Sequence, residues 1–310
     1  DSMVLYIPAR CQTCWSQWKD VLKIPRHKLS YSCLFTLLSM PMKACLHAGL
    51  TLALSILLLW SPARIGHAET VLHVAYEDKT QFPYYMGDTQ KVLERPGAAV
   101  ELVKLLEERV PGLRIKFSRY PWKRCLAMLE TGQVDGIFNA SYNAARTRIG
   151  EYPWRDGQVD PTRRLTTISY NLYALPDTEL GWSGKAFEDT DLSVGAPLGY
   201  SIVNDLENLG VSVIKVRSSR QSLQLLTARR VHAVALQSVT ADFLLRQNAR
   251  QLPGIVRIDP PLKTKPYYLM LSREFKAAHP ELAEHIWNAI GELREEKLEA
   301  LAQPYLSESG

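Results

Sequence analysis

Arg146 is the side chain in this sequence with the clearest chemical use, because it follows directly on a segment that reads as a strand end. A guanidinium held there can grip a carboxylate through two parallel hydrogen bonds, although the same residue in a surface ion pair would do nothing more than that. Gly199-Tyr200-Ser201 stands at the start of a predicted helix. Free amides and the helix dipole favour an anion at such a place, and a plain turn is the competing reading. One group from each of two structural blocks, aimed at the same carboxylate, would make binding close a cleft. Tyr76, Phe82, Tyr84 and Tyr85 cluster in one turn-rich segment and can wall a pocket for a carbon chain or pack as ordinary core and rim. Trp122 reads as a helix-to-sheet packing residue.

Other chemistries lack support. The sequence contains no Gly-x-Ser-x-Gly, no His-Glu-x-x-His, no P-loop and no Gly-x-Gly-x-x-Gly. His73, His232, His279 and His285 lie far apart without ligand spacing, and His232 reads as a satisfied strand residue. No catalytic residue, metal or cofactor is therefore expected. Asn139-Ala-Ser141 matches a glycosylation sequon and is read as incidental.

These residues must be positioned by elements, and the periodicity supplies them. Val71–Tyr76 alternates as a strand, and apolar residues recur at helical spacing from Ala98 to Val110, where Pro111-Gly112 ends the helix. Leu113–Phe117 is a strand, the segment from Trp122 to Leu129 a helix, and Val134–Phe138 a strand. The pattern restarts with strands at Leu192–Ala196, Val211–Val216 and Val231–Leu236. Helices are predicted between and after them, at Ser201–Leu209, from Ser218 through Leu226, and at Ser238–Arg250. Such alternation implies two mostly parallel sheets flanked by helices. Leu165–Leu175 and Pro266–Ser272 are extended connectors, and a helix from Pro280 to Leu301 closes the chain. Two connectors suit a chain that leaves one lobe, builds a second and returns. The expected lobes are 69–168 with 270–310, and 169–269, joined by a two-strand hinge.

Charge is distributed unevenly. Of 37 basic and 32 acidic residues, seven and two respectively lie at or before Ala68, which leaves 30 of each beyond it. A neutral remainder offers no basic surface for nucleic acid. Met42-Lys43, the largely apolar run Leu50–Trp60 and the ending Gly66-His67-Ala68 read as a secretory signal cleaved after Ala68. The alternative, a membrane anchor, needs roughly 20 apolar residues, and the run is short for that. Residues 1–41 read as a misassigned start, and the Cys11-Gln-Thr-Cys14 pair within them as accidental. Beyond Ala68 only Cys125 remains, so no internal disulfide is available and a core must stabilise the exported chain.

Four motifs, in order, carry a family resemblance. Trp122-Lys-Arg-Cys-Leu-Ala-Met-Leu-Glu-Thr-Gly-Gln-Val-Asp135 is followed by Ser141-Tyr-Asn143-Ala-Ala-Arg146, by Glu151-Tyr152-Pro153, and by Val194-Gly195 with Gly199-Tyr200-Ser201. Over Val71 to Leu306 the chain resembles the extracellular solute-binding proteins of family 3, receptors for polar amino acids that feed bacterial ABC transporters. The resemblance implies an α/β, two-lobed type II periplasmic-binding-protein fold. It also implies a monomer in the periplasm, a small polar carboxylate ligand and an ABC-transporter permease as partner. It carries Ser141, Asn143 and Arg146 into the ligand site alongside Gly199, Tyr200 and Ser201. One departure matters: where the family has Asp-Ala-x-x-x-Asp, whose second Asp pairs with the ligand's ammonium, this chain has His232-Ala-Val-Ala-Leu-Gln237. Leaving a buried ammonium without its partner costs roughly 3–5 kcal/mol. Either Glu77 or Asp78 replaces the missing acid, or the ligand is not a standard α-amino acid. Two further readings share the fold. Cyclohexadienyl dehydratases need a carboxylate-gripping arginine and a general acid, for which Glu77 and Asp78 are candidates. A sensory binding protein would use the same cleft.

Overall fold

The computed structural model describes residues Glu69 to Ser307; the upstream segment, Cys11, Cys14 and the signal sequence lie outside them. The first block opens with strand β1 (Thr70–Glu77) and helices α1 (Ala98–Lys104) and α2 (Leu106–Arg109). It continues with β2 (Leu113–Tyr120), α3 (Trp122–Glu130) and β3 (Gly136–Ser141). The single helix expected over 98–110 is thus broken at Leu105. A small hairpin, β4 (Trp154–Arg155) with β5 (Gln158–Val159), precedes the long strand β6 (Thr166–Ala174). The second block holds β7 (Ser193–Pro197), α4 (Ile202–Asn208), β8 (Ser212–Val216), α5 (Ser219–Thr227), β9 (Ala233–Gln237) and α6 (Ser238–Gln247). Strand β10 (Val256–Leu271) leads back to α7 (Arg273–Ala278) and α8 (Pro280–Ser307). No helix among the described residues is long and apolar enough to cross a membrane.

Eight strands form one sheet in the order β2-β1-β3-β10-β6-β9-β7-β8. Its outer thirds are parallel, β1 pairing with β2 and β3, and β7 with β8 and β9. Between them run β10 and β6, antiparallel to each other and to the neighbouring β3 and β9. The apolar runs explain this order: β3 and β9 are buried along their whole length, as strands covered on both faces must be. The chain therefore crosses from one parallel third to the other only along β6 and β10. The second connector is longer than expected, sixteen residues instead of the seven from Pro266 to Ser272, and it accommodates Pro260-Pro261 at a register shift between Ile258 and Lys263.

Each parallel third has its own apolar packing. Leu72, Val74, Leu102, Val103, Phe138, Ile286, Trp287 and Ile290 bury α1 and α8 against the first. Tyr173, Leu223, Leu226, Val234, Leu236 and Leu244 bury α5 and α6 against the second. A further cluster runs between the two and includes Trp122, Ile137, Tyr170, Val194, Tyr200 and Tyr267. Of the candidate site residues, Tyr200 belongs to this middle cluster and Tyr84 packs against it.

Candidate functional site

The end of β3 sets the site. Asn139 adopts a positive φ of 54°, and a 3-10 turn over Ala144–Arg148 follows the strand. Asn143 caps that turn, its side-chain oxygen accepting from the Ala145 amide at 2.8 Å, so this amide is spent on holding the turn. The turn swings Arg146 back over the strand end. The residue is 7% exposed, and its guanidinium carbon lies over the Trp122 ring, 5.6 Å from the centroid. Nη1 donates to the Ser141 carbonyl and Nη2 to the Gly199 carbonyl, both at 2.9 Å. The Tyr152 hydroxyl donates to the same Ser141 carbonyl at 2.8 Å.

The opposite wall comes from the second block. Tyr200 and Ser201 precede α4, and Ser141 Oγ donates to Ser201 Oγ at 2.7 Å. Ser201 also accepts from Lys265 Nζ at 3.0 Å, and Lys265 forms an ion pair with Asp205. Gly199, expected to offer an amide to an anion, instead meets Arg146 with its carbonyl; α4 is only seven residues long. Gln237, at the end of β9, donates to the Tyr170 hydroxyl at 3.4 Å, and Tyr170 is hydrogen-bonded to Tyr267 at 2.8 Å.

Arg146, Ser141, Tyr200, Ser201 and Gln237 surround one cavity, together with Gln81, Trp122, Asn139, Tyr170 and Tyr267. It measures about 10 Å³, room for roughly one water molecule. Three amide atoms around it are buried without a hydrogen-bond partner: Gln81 Oε1, Asn139 Nδ2 and Gln237 Oε1. Buried polar atoms are almost always paired in folded proteins, so these three are the polar groups with which a molecule entering the cavity would pair.

Glu77 stands one residue behind this wall. Its Oε2 accepts from the Tyr200 hydroxyl at 2.5 Å and from Gln81 Nε2 at 2.6 Å, and the residue is 4% exposed. Burial pushes its pKa up to about 7, against the opposing pull of the Tyr200 and Gln81 hydrogen bonds. Burial likewise drives the Tyr200 phenol well above its ordinary range. Desolvation lowers the Lys265 pKa, opposed by Asp205.

Six of the residues expected at the site do not line the cavity. Glu77 reaches it only through Gln81 and Tyr200. Asp78 is buried beside Lys79, 3.7 Å from its ammonium. Phe82 stacks on Phe243 at 4.2 Å with rings 4° apart, which ties the first block's turn to α6. Tyr84 leans its hydroxyl on the Thr167 carbonyl at 3.4 Å. Asn143 caps its turn, and Gly199 contributes only a carbonyl. Conversely, Trp122 is a cavity wall and not merely a packing residue, and the sequon residue Asn139 is buried in the same wall. Tyr170 and Tyr267 could have been found from the sequence as the tyrosines carried inward by the two extended connectors; Gln81 left no such signal. Outside the site, His232 Nδ1 accepts from the Ser193 amide at 2.9 Å and is fully explained by that bond.

No family model matches this sequence, and no curated protein matches it by sequence. Solved structures do resemble it. One is an amino acid ABC transporter substrate-binding protein from Streptococcus pneumoniae bound to L-arginine, 19% identical, covering 77% of this chain and 95% of its own, with a TM-score of 0.59. A histidine kinase sensor domain with similarity to periplasmic binding proteins is also 19% identical, covering 76% and 96%, with a TM-score of 0.59. An ancestral amino acid-binding protein, described as a precursor of cyclohexadienyl dehydratase, is 14% identical, covering 76% and 94%, with a TM-score of 0.56. With the two parallel thirds and the paired crossing strands, these likenesses establish that the described chain has the two-lobed fold of the type II periplasmic binding proteins.

Proposed function

We propose that this chain is an exported solute-binding protein whose lobes close on a small polar carboxylate ligand, an amino acid or related compound, and deliver it to an ABC-transporter permease. The lobes are taken as 69–168 with 270–310, and 169–269. The observation that carries the reading is Arg146. A buried guanidinium on one lobe, bonded to a carbonyl of the other, lines a cavity ringed by unpaired amides. Moving the lobes apart breaks the bond to Gly199 and frees donors for a carboxylate. The fold likeness to a protein solved with L-arginine supports this ligand class. Glu77 is the acid nearest the cavity and takes the place of the acid missing at Gln237 as the counter-charge for a ligand cation.

Glu77 also supports a second reading. A buried carboxyl with a pKa near 7 can hold or release a proton at neutral pH, as a general acid must. The same fold then houses a dehydratase.

Calorimetry against amino acids and dicarboxylates, with parallel incubation with prephenate and arogenate, separates the two. The binding reading expects saturable uptake without turnover. Arg146→Ala should weaken carboxylate binding by about 3 kcal/mol, a factor of more than a hundred, because one partner of a buried charge pair is removed. Unchanged affinity in that variant refutes the site, and release of carbon dioxide from prephenate moves the protein to the enzyme reading.

A further inference from the structure

A second and larger concavity lies beside the Arg146 cavity, along β10. It is a groove of ≈ 580 Å³, walled by Tyr142, Trp154 and Val159 of the first lobe, by Lys263 and Lys265 of the crossing strand, and by Asp205 of the second lobe. Its volume falls in the range of small-molecule sites. Two features mark it as more than a surface irregularity. First, Tyr142 and Trp154 are 44% and 38% exposed, yet their rings meet edge to face at 6.1 Å and form an ordered aromatic wall. Large exposed aromatics grouped on one concave surface, and not scattered singly, characterise binding surfaces. Second, the groove holds two lysines and one carboxylate. Asp205 is taken by Lys265, which leaves Lys263 without a carboxylate partner among the described residues.

The groove is also wired to the cavity. Tyr142 packs edge to face on Tyr152 at 5.5 Å, and the Tyr152 hydroxyl donates to the Ser141 carbonyl that Arg146 uses. On the other side Lys265 donates to Ser201, which lines the cavity.

We propose that this groove is a second binding site, for an aromatic carboxylate, whose ring packs on Trp154 and Tyr142 and whose anionic group pairs with Lys263. An aromatic anion matches both walls at once: a neutral aromatic leaves Lys263 unused, and an inorganic anion leaves the rings uncovered. The proposal does not depend on what the Arg146 cavity binds.

Isothermal titration with 4-hydroxyphenylacetate tests it in three proteins: the unaltered chain, Trp154→Ala and Lys263→Met. Both altered side chains are exposed, so the variants should fold, and melting curves check this. Saturable binding is expected, weakened roughly tenfold in Trp154→Ala by loss of the ring contact. Lys263→Met should weaken it several-fold and abolish its salt dependence. Absence of saturable binding at millimolar probe overturns the proposal. So does affinity that survives both groove substitutions, which assigns the probe to another site.

Discussion

Glu77→Gln should abolish a loss of stability that the unaltered chain suffers as pH rises from about 4.5 to about 7. In the unfolded chain the carboxyl ionises at the 4.5 of an ordinary glutamate, whereas in the folded chain burial holds the proton to about 7. Between those values the folded state binds more protons, so stability falls as pH rises. The full stability is present below about 4.5, is lost progressively through about 7, and stays lost above it. At 1.36 kcal/mol per pH unit, the difference amounts to about 3 kcal/mol. No cation compensates: Oε2 is held by Tyr200 and Gln81 alone, and the flanking Asp78 adds to the cost while Lys79 relieves it slightly.

A glutamine keeps the shape and accepts the same two hydrogen bonds through its amide oxygen, but never ionises. Urea denaturation of both proteins from pH 4.5 to pH 8 should therefore give similar stabilities at the acid end. At the alkaline end the variant should lead by about 3 kcal/mol. Taking the difference between the two proteins cancels every other titrating group. Parallel curves, with a constant offset across the range, would show that Glu77 titrates normally in the folded state and refute the reasoning.

Two substitutions probe the scaffold that presents the site. Arg119→Met removes a side chain, 1% exposed, that donates to the carbonyls of Glu77, Met86, Gly87 and Lys91 and lies over the Tyr76 ring. Stranding several of these carbonyls should cost roughly 4 kcal/mol or more, read by urea denaturation, with faster amide exchange concentrated in residues 78–97. Gly97→Ala should cost more than about 2 kcal/mol, since Gly97 has φ of 112° and an added Cβ would lie 2.4 Å from Tyr85 Cα. Gly254→Ala is its control: φ is 72° but nothing lies within 4 Å, so only the backbone penalty of about 1–2 kcal/mol should appear.

The alternating strands and helices were legible because each is short and buried on a recognisable face. β3 and β9 are buried along their whole length, and Pro111-Gly112 stops a helix as its chemistry requires. A boundary failed at Leu105, a single turn residue that interrupts a helix that periodicity runs on to Val110. Within the site, motif order pointed to Arg146, Ser141, Tyr200, Ser201 and Gln237, and the structure brings these around one cavity. The Glu77–Tyr200 bond was not legible, for its partners are 123 residues apart and stand at different parallel thirds of the sheet. Nor was Lys265, whose meaning comes only from a crossing strand passing beside Ser201 and Asp205. Phe82 misled for the opposite reason. An aromatic in an entry turn has the chemistry of a pocket wall, but its ring is spent on Phe243.

Those cross-lobe contacts bear on how any ligand must act. Arg146 to Gly199, Ser141 to Ser201, Tyr200 to Glu77, and Phe82 on Phe243 all join one lobe to the other without help from a third molecule. At about 1 kcal/mol net for each hydrogen bond and a similar amount for the ring pair, they favour closure by roughly 4 kcal/mol. Against this stands the desolvation of Glu77, which burial leaves without a cation, and of three amide atoms without partners. On the proposed function, a ligand carrying both charges would reverse each defect: its carboxylate would take the Arg146 donors, its cation would face Glu77, and its polar atoms would pair with Gln81, Asn139 and Gln237. A ligand with only a carboxylate would displace the Gly199 bond but leave Glu77 unrelieved, and so would gain less from closure. The proposed function therefore expects selectivity to depend on what the closed lobes leave unsatisfied as well as on Arg146.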